Sequence, residues 1–220
     1  MSKTLLLAGA SGLTGGEVLT MALHDDRYSI VCLLVRKKTG IIHPKIHEMV
    51  VDFDRLKETQ SVIQFDDVVI ALGTTIKKAG SEAAFEKVDL TTVTNVADWA
   101  YVNGAKQCAL ISSVGADAKS SNFYLRTKGK AEQYLSSIGF TSFLVFRPGL
   151  LLGERNEVRT GEKFAQKLFG TWTQKISIFG KYSSIKAGQL AKAVIEGLND
   201  NGAGMRILHF NEMKQYFVTI

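Results

Sequence analysis

Gly9-Ala10-Ser11-Gly12-Leu13-Thr14-Gly15-Gly16 follows an apolar run, Thr4 to Ala8, and opens an amphipathic stretch, Leu13 to Leu23. The run before it is short, apolar and bounded by glycine, which suits a buried strand, and the stretch after it has its apolar residues at helical spacing. A Gly-x-x-Gly-x-x-Gly turn in that setting lets backbone N–H groups approach a pyrophosphate, and the partial positive charge of the helix N-terminus favours the anion. Gly9, Ser11, Gly12, Leu13, Thr14 and Gly15 are therefore candidate dinucleotide contacts. The plainer alternative is a tight strand-to-helix turn that binds nothing. The strand before and the helix after are the context that weighs against it.

The same alternation continues outward. Ser29 to Val35, Ile46 to Val51, Asp67 to Leu72, Lys106 to Ile111 and Phe140 to Phe146 read as strands. Glu82 to Val102, ended by Asn103-Gly104, and Tyr124 to Ile138, closed by Gly139, read as helices. Short apolar strands separated by helical patterns predict an α/β fold, a Rossmann-type doubly wound parallel sheet, with the repeat complete by about residue 148. The rhythm then breaks. Leu150 to Ile185 is mixed, with a helix expected from Glu162 to Phe169 and a turn at Gly180, before a helix over Ala187 to Leu198 and a last strand over Met205 to Phe210. No linker or repeat divides the chain, so residues 1–220 read as a single domain with a C-terminal extension, in which 151–185 is the substrate or partner segment.

The composition, 45% apolar with 22% charged residues and two prolines, is that of a globular chain able to bury a large core. The net charge of +6 is spread along the sequence and forms no basic arm, which argues against nucleic acid as a partner. Leu5 to Ala8 is too short for a signal-peptide core or a membrane span. Cys32 and Cys108 lie inside apolar runs, as buried inert thiols do, and with the missing leader they point to a reducing cytosol.

After the second strand, where a fold specific for NAD places a carboxylate for the ribose hydroxyls, the chain has Arg36-Lys37-Lys38. A carboxylate repels a 2′-phosphate and a guanidinium grips it, so NADP(H) is the expected cofactor, with Arg36 and Lys37 as its selectors. An ordinary solvated basic turn is the alternative. Topology adds Asp52 and Phe53 after the third strand, for the adenine, and Leu72, Gly73 and Thr74 after the fourth, since such ligands lie at the carboxyl ends of parallel strands.

Tyr124 and Lys128 are four residues apart, hence on one face of a helix. The ammonium favours the phenolate electrostatically, which makes the phenol a usable proton donor or acceptor near neutral pH. Hydride transfer to a carbonyl leaves an alkoxide that also needs a hydrogen-bond donor, and Ser112 and Ser113 at the end of the fifth strand both qualify. Tyr-x-x-x-Lys alone is a common accident. Its weight comes from the glycine turn and the Ser-Ser strand end that precede it.

Gly9 to Gly15, Leu110 to Asp117, Ser120 to Gly129 and Phe146-Arg147-Pro148-Gly149-Leu150-Leu151-Leu152, taken in order, resemble the atypical short-chain dehydrogenase/reductases, the Tat-interacting-protein-like oxidoreductases among them. The resemblance implies NADPH binding and a Ser-Tyr-Lys set: Ser113 as the serine with Ser112 as second choice, Tyr124 as acid/base, and Lys128 also reaching the nicotinamide ribose. It places Pro148, Gly149 and Leu150 against the nicotinamide carboxamide. Two departures stand out. Ala71-Leu72-Gly73-Thr74 replaces the family's Asn-Asn-Ala-Gly, and Asp89 takes the place of the asparagine that completes a proton relay. Relatives that bind cofactor to regulate partners make a second reading, a cofactor-sensing protein with little turnover that docks a protein through 151–185.

His43 and His47 are four apart, but Pro44 between them opposes a metal-binding helix, so a surface loop and no metal are expected. Trp99 and Trp172 read as core or lid residues. The aromatic and basic residues from Phe164 to Trp172 suit either a cap over a small carbonyl or alcohol substrate or a face for a second copy of the chain.

Overall fold

The computed structural model describes residues 2–152 and 183–217. Seven parallel strands form one sheet: β1 (Lys3–Ala8), β2 (Tyr28–Val35), β3 (Ile46–Val50), β4 (Asp67–Ile70), β5 (Gln107–Ile111), β6 (Ser142–Phe146) and β9 (Gly204–Leu208). Their spatial order is β3-β2-β1-β4-β5-β6-β9. The order reverses between β1 and β4, and the crevice above that switch point is where such sheets receive ligands.

Alternation along β1 explains the two cores. Leu5 and Leu7 join Val18, Leu19, Leu190 and Val194 on one face, packed under α1 (Leu13–Leu23) and α6 (Ala187–Gly197). Leu6 and Ala8 join Val96, Trp99, Leu110 and Leu135 on the other, under α4 (Val93–Val102) and α5 (Phe123–Ser136). Both faces are covered, so the strands are apolar throughout, each buried Leu or Val contributing about 1.5–3 kcal/mol. Trp99 is a core residue whose indole N–H donates to the Thr59 carbonyl at 2.8 Å. Cys32 and Cys108 are fully buried, and burial pushes the Cys32 thiol up to about 12 and that of Cys108 higher still.

Several expectations need correction. β4 ends at Ile70 and not at Leu72, because after it the chain turns over Gly9 and Ala71 N–H makes the last bond, to Ala8 O at 2.9 Å. The stretch 82–102 is not one regular helix: α3 (Glu82–Glu86) passes through a π-helical turn, Lys87–Thr92, into α4. A short helix missed in the sequence, α2 (Ile76–Ala79), precedes it, capped by Thr75 and stopped by Gly80 in a left-handed conformation. The last strand, expected over Met205 to Phe210, runs over Gly204–Leu208 and pairs in parallel with β6 as the seventh strand of the sheet. That strand stops at Leu208 and Phe210 opens a short helix, Phe210–Met213, where the Glu212 carboxylate accepts from His209 N–H at 3.0 Å. His47 belongs to β3 and not to a loop. The helix expected over 162–169, the Gly180 turn and Trp172 lie outside the described residues. On either side of that stretch β7 (Leu151–Leu152) pairs in parallel with β8 (Ile185–Lys186).

Candidate cofactor and active site

The glycine turn is built by contacts that leave no room for side chains. Gly9 adopts φ 99°, and a Cβ there would stand 2.5 Å from Ala71 O. A Cβ on Gly15 would stand 2.0 Å from Gly9 O, so glycine is what lets the first turn of α1 settle onto the end of β1. Gly12 N–H donates to Gly9 O at 2.9 Å, and no side chain caps the helix at Gly12. A cradle that a Cβ would fill, opening on a helix N-terminus, fits a diphosphate.

Two adjoining cavities open above this turn. The first, about 770 Å³, runs from Gly9, Ser11 and Gly12 to Arg36, Lys37 and Lys38, with Phe53 and Leu72 as apolar walls. The second, about 830 Å³, shares Gly9, Ser11, Gly12, Arg36, Phe53 and Leu72 and continues to Asp52, Gly73 and Thr74. Asp52 also caps the 3-10 helix Phe53–Glu58 by accepting from Asp54 N–H. Neither Arg36 nor Lys37 has an ion-pair partner among the described residues, and both are exposed. Thr14 and Gly15 are buried beneath the turn, and Leu13 is 39% exposed beside it.

The second cavity also takes Lys78, Ala84, Lys87 and Val88 as walls, which sequence reasoning missed. Thr75 and Ser81, each capping the residue three further on, were the available signals.

Ser112, Ser113, Tyr124, Lys128 and the Pro148-Gly149-Leu150 turn line neither cavity. They gather one step along the sheet. Ser112 N–H donates to Phe146 O at 2.8 Å and Val114 N–H to Pro148 O at 3.0 Å, which zips the ends of β5 and β6 together and sets Ser113 beside Pro148. The Ser112 hydroxyl donates to Glu132, which also takes Arg147 as a buried ion-pair partner. Among the described residues the Ser113 hydroxyl has only a long contact, 3.3 Å, to Val114 O. The two serines are thus distinguished: Ser112 is committed to the fold. Glu132 lies four residues after Lys128 and was legible as sharing its face, whereas its partner Arg147 was not.

Asn122 caps α5 by accepting from Leu125 N–H at 3.1 Å, and Tyr124 packs against Phe85 with ring centroids 5.5 Å apart. Lys128, 6% exposed, stands 2.8 Å from Asp89 Oδ1, while Asp89 Oδ2 accepts from Thr74 N–H at 2.9 Å. The angles leave Oδ1 without a hydrogen bond, so the attraction to Lys128 is Coulombic. Burial pulls the Lys128 ammonium down, but Asp89, with Tyr124 and Glu132 behind it, outweighs burial and holds it above the usual lysine range.

Gly129 sets the height of α5. A Cβ there would stand 2.2 Å from Ala118 N and from Asp117 C, all backbone. Gly129→Ala is expected to lose at least about 1–3 kcal/mol by overpacking, read as a lower urea midpoint at unchanged slope. An unaltered midpoint would mean that the helix does not rest on this turn.

The reversed strand order and a glycine cradle at the switch point define a dinucleotide-binding protein of the short-chain dehydrogenase/reductase fold. The chain belongs to the NAD(P)H-binding family, whose model matches residues 9–201. It is 34% identical over 215 residues to protein HTATIP2 of Rattus norvegicus, covering 96% of this chain and 87% of that one. It is 32% identical over 212 residues to the mitochondrial protein FMP52 of Lodderomyces elongisporus, covering 89% and 87%. The resemblance to Tat-interacting-protein-like oxidoreductases is thereby borne out. Among solved structures, the Bordetella bronchiseptica enzyme WbmH in complex with NAD+ shares the fold at TM-score 0.70 and 17% identity, over 95% of this chain and 76% of that one. No described helix is long and apolar enough to cross a membrane.

Proposed function

We propose that this chain is an NADP(H)-dependent oxidoreductase that interconverts a small carbonyl compound and its alcohol. One observation carries the cofactor preference. The cavity that joins the glycine turn to Arg36, Lys37 and Lys38 has no carboxylate among its described lining residues. A 2′-phosphate meets three cations there and no like charge, and the Arg36 guanidinium suits it with paired hydrogen bonds.

The bound nicotinamide supplies or accepts the hydride. This chain's residues do the rest: Ser113 and Tyr124 hold the substrate oxygen, and Tyr124 gives or takes the proton. Lys128 keeps a positive charge beside Tyr124 and reaches the nicotinamide ribose. The Pro148-Gly149-Leu150 turn bounds the nicotinamide end, and residues 151–185 select the substrate within one functional unit, 1–220. The cytosol is the proposed compartment. The mitochondrial name of the fungal relative makes the mitochondrion its rival, and cell fractionation decides between them.

A second reading, a cofactor-sensing protein with little turnover that docks a partner through 151–185, is favoured by the ion pair between Lys128 and Asp89, which offsets the charge that Tyr124 would use. NADPH oxidation in a screen of carbonyl compounds decides against it.

Calorimetric titration with NADPH and NADH tests the first reading. NADPH is expected to bind more tightly, and Arg36→Ala to weaken NADPH by about 10- to 100-fold, the worth of a charged hydrogen bond, with little change for NADH. Equal affinities in the wild type, or an unchanged ratio in the variant, would reject the preference.

A further inference from the structure

The oxidoreductase reading gives Asp89 no task. It is 1% exposed, and it touches two parts of the site at once: the Thr74 amide through Oδ2 and the Lys128 ammonium beside Oδ1. The π-helical turn Lys87–Thr92 carries it, a local departure from helical geometry of the kind found at functional sites. Gly73 stands over the pair, since a Cβ there would lie 3.4 Å from Asp89 Oδ1 and 3.6 Å from Lys128 Nζ. Gly73 also lines the second cavity, so the ion pair adjoins its wall.

We infer that Asp89 is a positioning residue: it holds Lys128 charged and in place while fixing the Leu72-Gly73-Thr74 loop, so that ammonium and loop meet the cofactor ribose as one unit. Only the naming of the ribose rests on the proposed function. An ammonium buried without a partner is costly, and removing one member of a buried pair is worse than never having formed it. Among the described residues the charged groups around Lys128 are few. Asp89 reaches it from the π-helical turn, and Tyr124 and Glu132 share its own helix. Glu132 is taken up by Arg147 and Ser112, and Glu86 faces Lys130 at 4.0 Å. The loop after β4 contributes the Thr74 amide and the Gly73 backbone. Asp89 is thus the carboxylate that balances the burial of Lys128. Because Lys128 holds its proton more tightly folded than unfolded, the pair stabilises the fold below the ordinary lysine value of about 10.4 and fades only as pH rises past it.

Asp89→Asn separates the two roles, since an amide oxygen still accepts from Thr74 while the charge is gone. The test is a pH titration of the Lys128 Nζ signal by nitrogen NMR in the cofactor-free protein, assigned with Lys128→Arg. In the wild type the signal is expected to stay that of an ammonium to about pH 10, and in Asp89→Asn its midpoint should fall by at least about one pH unit. A wild-type midpoint below the ordinary lysine range overturns the inference even if the variant fails to fold, and so does a variant midpoint equal to the wild type's. A second arm measures NADPH affinity between about pH 7 and about pH 9.5. The wild type should be nearly flat, and Asp89→Asn should lose affinity as pH rises, by about twofold or more at the upper end relative to the lower. Parallel profiles overturn the link to the ribose. A wild type that binds no NADPH rejects the proposed function and leaves the lysine titration to decide the pairing.

Discussion

Tyr124→Phe is expected to abolish carbonyl reduction while leaving the affinity for NADPH almost unchanged. The substitution removes one oxygen and keeps the ring, whose packing against Phe85 holds the first turn of α5 in place. Lys128 and Asp89 keep their contact, because that pair lies one turn further along and does not need the hydroxyl. A positioned proton donor contributes about 10²- to 10⁴-fold to such a step, and the whole of that factor should appear in kcat. Steady-state NADPH oxidation and calorimetry on the same preparation check the two halves. Turnover within a few-fold of the wild type would remove Tyr124 from the chemistry.

Gly15→Ala should eliminate NADPH binding and weaken the fold together. Its Cβ would stand 2.0 Å from Gly9 O, 2.7 Å from Gly9 C and 3.1 Å from Ala10 N, and all three atoms are backbone with no rotamer to retreat into. The first turn of α1 must lift off β1, at about 1–3 kcal/mol or more, and the amides that would face the diphosphate move with it. Gly12→Ala is the control for stability, since its Cβ meets Gly9 O at 3.3 Å, a contact that a small shift relieves. Thermal melting of both variants beside NADPH titration gives the comparison. A Gly15→Ala protein that melts like the wild type and binds NADPH would mean that the cradle is not where the diphosphate rests.

Much of this architecture was legible because it follows from local periodicity. The helix Leu13–Leu23 and the glycine turn before it agree with the sequence reading residue for residue, since strand, turn and helix there are each set by neighbours in the chain. What escaped the sequence was decided at a distance. The π-helical turn follows no helical period, and Asp89 inside it is explained by Thr74 and Lys128, remote in sequence. The choice between Ser112 and Ser113 depended on Glu132 and Arg147, which approach from another helix and another strand end. The last strand was legible in the sequence, but its parallel place beside β6 was not, because it joins the sheet only after the stretch of least regular pattern.

The short pairing of Leu151–Leu152 with Ile185–Lys186, reinforced by the 2.9 Å bond from Ile185 N–H to Leu150 O, sets the exit from the sheet beside the re-entry to it. Residues 152 and 185 are therefore held side by side by the frame of the fold itself, and a change in the length of chain between them leaves the register of the strands on either side untouched.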